Sequence, residues 1–143
     1  VLDYDPYKYD ITNLTKFKKT RIVVCLSNHR WHSANLEMVR IAKLMGDLYH
    51  LDIIIRAHPS LSKKYLKSKF LIDQYEYGSI LSNNDIFIMY HSTLYFSLAH
   101  LNLTVLRFKD KNFDDFGIID NCFSNVEELN KLAVKHFKCI DQG

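Results

Sequence analysis

The stretch DIIIRAHPS, residues 52–60, decides the fold. Its three successive isoleucines lack the apolar–polar alternation of a strand with one wet face, so both faces need cover. The run then breaks into Arg56, Ala57, His58 and Pro59. Two groups able to bind an anion stand at the strand's exit, and a proline fixes the direction in which the chain leaves. A second stretch, DIFIMYHST at residues 85–93, repeats the arrangement: an apolar run that ends in His91, Ser92 and Thr93.

Working outward, RIVVCLSN (21–28) and TVLRF (104–108) read as further buried strands, and FLID (70–73) as a short one. Between the first two strands, Met38, Ile41, Ala42, Met45, Leu48 and Tyr49 recur at helical spacing. Ser33 is the expected N-cap, with Glu37 in the first turn. Short helices are expected over 60–69, around 78–83 and over 94–101. The stretch 109–123 reads as irregular. Ser124 and Glu127 have capping-box spacing ahead of a final amphipathic helix reaching Phe137. Apolar strands alternating with helices predict an α/β fold, a Rossmann-like doubly wound parallel sheet of about five strands. Residues 1–20 read as a connecting segment and 21–143 as the domain.

The totals agree with one such domain. A chain of 143 residues can bury a single core, and 4 Gly with 2 Pro argue against long linkers. The net charge of +3 is mild and its lysines are scattered, which speaks against a nucleic-acid stripe. Cys25, Cys122 and Cys139 show neither a disulfide nor a zinc spacing, which suits a reducing, cytoplasmic compartment. No apolar run reaches membrane-spanning length, and no signal peptide is visible.

In a doubly wound sheet, ligands bind beyond the carboxyl ends of the strands. The residues expected there are His29 and Arg30 after the first strand, and Arg56, His58 and Pro59 after the second. Tyr75 follows the third, and His91, Ser92 and Thr93 follow the fourth. This set suits an anion. Ser92 and Thr93 stand where a helix begins, so hydroxyls and free N–H groups can converge on a phosphate. His58 can donate to the same group, the arginines can add charge-assisted bonds, and Tyr75 can border a nucleobase. Neither usual glycine-rich phosphate loop is present. No metal site is expected, because His29 and His32 around Trp31 match no standard ligand spacing.

The pair RAHPS and YHSTLYFSLAHLNLTVLRF resembles the C-terminal, nucleotide-sugar-binding half of GT-B glycosyltransferases. The closest likeness is to capsule-type bacterial sialyl- and polysialyltransferases, with an HP motif and a Ser-Ser/Thr motif. CDP-glycerol glycerophosphotransferases carry a similar arrangement. The resemblance implies a GT-B C-terminal domain and phosphate contacts from His58, Ser92 and Thr93, with Pro59 of the HP motif holding the loop in place. It also implies a CMP- or UDP-linked sugar donor as substrate, with no other cofactor, in surface-polysaccharide synthesis. It spans roughly 21–137, but its specific part is the two motifs.

Two departures matter. The acidic residue that many GT-B domains place in the helix after the fourth strand is replaced here by LYFSLAH, with Ser97 nearest the position. The family also carries its glycan-acceptor site and usually its catalytic base on an N-terminal domain. The chain is therefore expected to be half of an enzyme, inactive alone, with the full-length protein cytoplasmic or peripheral at the inner membrane face. The competing readings are a CDP-glycerol-type phosphotransferase domain, a nucleotide-sugar 2-epimerase without its Gly- and Glu-rich run, and a non-catalytic Rossmann-like binding module.

Overall fold

The computed structural model describes residues 20–58, 61–62, 64, 84–90, 94–100, 103–113 and 121–136. Five strands form one sheet: β1 (Arg21–Cys25), β2 (Asp52–Arg56), β3 (Ile86–Met89), β4 (Thr104–Phe108) and β5 (Cys122–Phe123). Every pairing is parallel, and the order across the sheet is β2-β1-β3-β4-β5. The helices are α1 (His32–Tyr49), α2 (Leu94–His100) and α3 (Val126–Ala133), with 3-10 turns at His29–Trp31 and Val134–His136. The α/β, Rossmann-like architecture read from the apolar runs is the one observed.

The two-sided cover demanded by those runs is met by two apolar layers. On one face, Ile22 and Val24 of β1, Ile86 and Ile88 of β3, and Leu106 and Phe108 of β4 meet Met38, Ile41 and Met45 of α1 and Leu129 of α3. On the other, Val23, Cys25, Phe87, Met89 and Val105 meet Leu98 of α2. Full burial of each such side chain contributes about 1.5–3 kcal/mol. The strand order explains the division. From β1 the chain crosses to β2 on one side, and from β3 it crosses to β4 on the other. Crossovers of one hand in opposite directions put their helices on opposite faces.

At the amino end of the sheet, the Arg21 guanidinium donates to both carboxylate oxygens of Asp85, at 2.8 and 2.7 Å. Asp85 is fully enclosed there, its side chain 0% exposed. Burial, with Asp85 as the smaller cause, pushes the Cys25 thiol far above its ordinary pKa. Cys25 therefore serves as a small apolar side chain.

Several local expectations need correction. Helix α1 begins at His32, and its N-cap is Trp31 without a side-chain cap bond, so Ser33 is not the cap. The capping is done one turn earlier, where Asn28 accepts from the Arg30 N–H and starts the 3-10 turn. Glu37 lies beyond the first turn and pairs with Arg40 instead. The box before α3 is shifted by one residue: Asn125 accepts from the Glu128 N–H at 2.9 Å, and the Glu128 carboxylate accepts from Ser124 N–H at 2.7 Å. α3 stops at Ala133 and tightens into a 3-10 turn. The stretch 109–123 is not wholly irregular, since β5 lies within it. Residues 1–19, the expected strand 70–73 and the helix around 78–83 lie outside the described residues, as does most of 60–69.

Candidate functional site

The register of the sheet sets the site. Arg56 of β2 stands beside Cys25 of β1, and Cys25 stands beside Met89 of β3. Three neighbouring strands thus end level, and the segments that follow them leave the same edge. One strand spacing separates each pair, so the outer two exits are about 10 Å apart. β1 is the strand at which the order reverses. The chain leaves it toward β2 and returns on its other side as β3, which opens a crevice at the carboxyl edge.

The exit from β1 is firmly built. The Leu26 N–H donates to the Arg56 carbonyl at 2.9 Å, which carries the ladder one residue past the strands. The Asn35 side chain then clamps Ser27, accepting from its N–H at 2.8 Å and donating to its carbonyl at 2.9 Å. Asn35 is completely buried, and Ser27 nearly so. The amide thus supplies both partners that a neighbouring strand would have given. Past the clamp, the Trp31 N–H donates to the Asn28 carbonyl at 3.0 Å, closing the turn that carries His29 and Arg30. His29 and Arg30 are exposed and Trp31 is half-buried.

The exit from β2 has a different character. Arg56 is 2% exposed, so its guanidinium acts from inside the protein rather than from the open edge. His58 is half-buried, and its carbonyl accepts from the Leu61 N–H at 2.9 Å. Burial lowers the His58 pKa below its ordinary value of 6.5. The ring is therefore neutral at pH 7 and offers one N–H donor and no net charge.

After β3, Tyr90 turns back into the sheet edge and is 1% exposed. Its hydroxyl donates to Asp110 Oδ1 at 2.5 Å. Its ring meets Trp31 edge-on, with centroids 5.5 Å apart at 70°. Farther along the sheet, Arg107 is stacked on Tyr95 at 4.6 Å and on Phe113 at 5.2 Å, and donates to Asn121 Oδ1. Asn121 donates in turn to the Val105 carbonyl and the Tyr95 hydroxyl, tying β5 to β4 and α2.

Of the residues singled out from sequence, Arg56, His58, His29 and Arg30 lie at adjacent exits. Pro59, Tyr75, His91, Ser92 and Thr93 lie outside the described residues. Asn35 and Tyr90 were missed. The available signal for Asn35 was a lone amide on an otherwise apolar helix face, two residues into α1's buried stripe. Among the described residues, no group of three or more His, Cys, Asp or Glu could hold a metal ion. No helix among them is long and apolar enough to cross a membrane. Comparison with protein-family models, with curated proteins and with solved structures finds no match to this chain.

Proposed function

We propose that this chain is the donor-nucleotide-binding domain of a glycosyltransferase of surface-polysaccharide synthesis, sialyltransferase-like in its donor motifs. The observation that carries the reading is the level ending of β2, β1 and β3 about a strand-order reversal, with polar segments following each strand. A crevice of this kind is where open α/β sheets take their ligands. In the proposed site, His58 donates its ring N–H to the donor phosphate, and the hydroxyls of Ser92 and Thr93 contact the same group. Positive charge on the phosphate side comes from Arg56 beneath, which stabilises the negative charge that grows on the departing nucleotide. The glycan acceptor and the catalytic base belong, in this reading, to a second domain.

Calorimetric titration with CMP, CDP and UDP tests it. His58→Ala should weaken the tightest of them by about 1–3 kcal/mol, the usual loss for a hydrogen bond to a charged group. Ser92→Ala should do the same while costing at most about 1 kcal/mol of stability through its helix end. Unchanged affinity in both variants would end the phosphate-site reading and leave only the fold.

A further inference from the structure

We infer that Trp31 and Arg30 form the nucleobase subsite of this crevice, the indole serving as a fixed platform and the guanidinium as a movable cover. The inference rests on the nucleotide-binding reading above and assigns the base to the turn after β1.

Trp31 sits where the chain leaves β1, at the strand where the sheet order reverses. Two elements hold it. Asn28 caps the turn through the Arg30 N–H at 3.0 Å and accepts the Trp31 N–H through its carbonyl. Across the crevice Tyr90 presses edge-on against the indole, and Tyr90 is itself fixed by Asp110 beyond β4. A ring held from both sides of the reversal loses little freedom when a ligand arrives. It remains half-buried, not sealed in the core.

The Arg30 guanidinium lies 5.0 Å from the centroid of the indole. Arg30 is exposed, so it can lift without disturbing the core. A planar heteroaromatic ring entering there would stack on the indole and take the guanidinium on its other face. Both contacts favour a flat π-system and neither reads a particular hydrogen-bond pattern. The ligand class is therefore a nucleobase, with the attached phosphate directed along the edge toward the β2 exit.

The chain has a single tryptophan, so its emission reports this site alone. Wild-type protein is titrated with CMP, ribose 5-phosphate and inorganic pyrophosphate, with calorimetry alongside fluorescence. CMP should alter the emission while the two base-free ligands leave it unchanged. Trp31→Leu should weaken CMP on the order of tenfold and spare pyrophosphate. If that variant does not fold, the wild-type emission comparison decides. CMP binding without an emission change, an equal change with pyrophosphate, or full CMP affinity in a folded Trp31→Leu protein overturns this assignment and leaves the nucleotide reading standing. Absence of binding by every ligand overturns both.

Discussion

At the scale of single residues, His58 and Asn35 carry the sharpest expectations. The folded-state pKa of His58 is lowered by burial, so between that value and the unfolded one the unfolded chain binds more protons. Stability from this group is fully present above about pH 6.5 and declines as pH falls through the folded pKa. Replacing His58 with Gln should therefore flatten the acid side of the melting profile below pH 6.5, with little change at pH 8. An unaltered profile would mean that His58 does not lose its proton on folding. Asn35 poses a different problem. Asn35→Leu strips both partners from the buried backbone of Ser27. An unsatisfied buried group costs about 1–3 kcal/mol, so a loss of about 3 kcal/mol in urea unfolding is expected for two. In the sequence Asn35 leaves only the mark of a lone amide on an apolar helix face, because its value depends on Ser27, whose amide and carbonyl take it as partner only once β1 has found its place.

At the scale of elements, the strands were legible and the ends of helices were less so. IVVC, IIIR, IFIM and VLRF announce themselves because a strand covered on both faces is apolar throughout. β5 could not be read that way. It is two residues long, and it exists through its pairing with Arg107 and Phe108 of β4, a contact with no local signature. The caps slipped by a residue or more because Asn and Ser are near-equal as N-caps. With Ser124 and Asn125 adjacent, and Asn28 ahead of Ser33, spacing alone does not choose between them. The carboxyl end of α1 supports a prediction. His50 adopts the left-handed conformation, with φ of 56°, and its N–H donates to the Gly46 carbonyl. A side chain there costs about 1–2 kcal/mol in strain, against roughly 0.5–1 kcal/mol for the extra freedom glycine has when unfolded. The first term wins. His50→Gly should stabilise by about 0.5–1 kcal/mol and raise the melting temperature by a few degrees. A lower melting temperature would show that the His50 side chain is itself a stabilising contact.

At the scale of the whole molecule, the two ends of the sheet divide the work. The carboxyl edge holds the exits on which the functional reading depends. Its legibility from sequence came from where polar residues interrupt an apolar run, at Arg56 and His58. The amino edge holds the Arg21–Asp85 pair, which joins β1 to the start of β3. Arg21→Met should cost about 3–5 kcal/mol, because the buried Asp85 carboxylate would lose its guanidinium partner. Arg21→Met combined with Asp85→Leu should recover much of that loss, and a double-mutant cycle in urea measures the difference. A double variant as unstable as the single one would show that apolar side chains cannot fill the space the pair occupies.

The place of β1 at the reversal of strand order also has a meaning in time. Among the five strands described it leaves the ribosome before the other four, yet its second neighbour, β3, lies far along the chain, with Asp85 64 positions after Arg21. At a synthesis rate of about 5–20 residues per second, that interval is roughly 3–13 s. During it, Val23 and Cys25 lack the β3 and α2 side chains that later cover them. The strand at which the sheet order reverses is thus made before its described partners and waits for β3 and α2 to enclose it. A nascent chain halted before β3 should present that apolar face to chaperones, and one released after β4 should hide it.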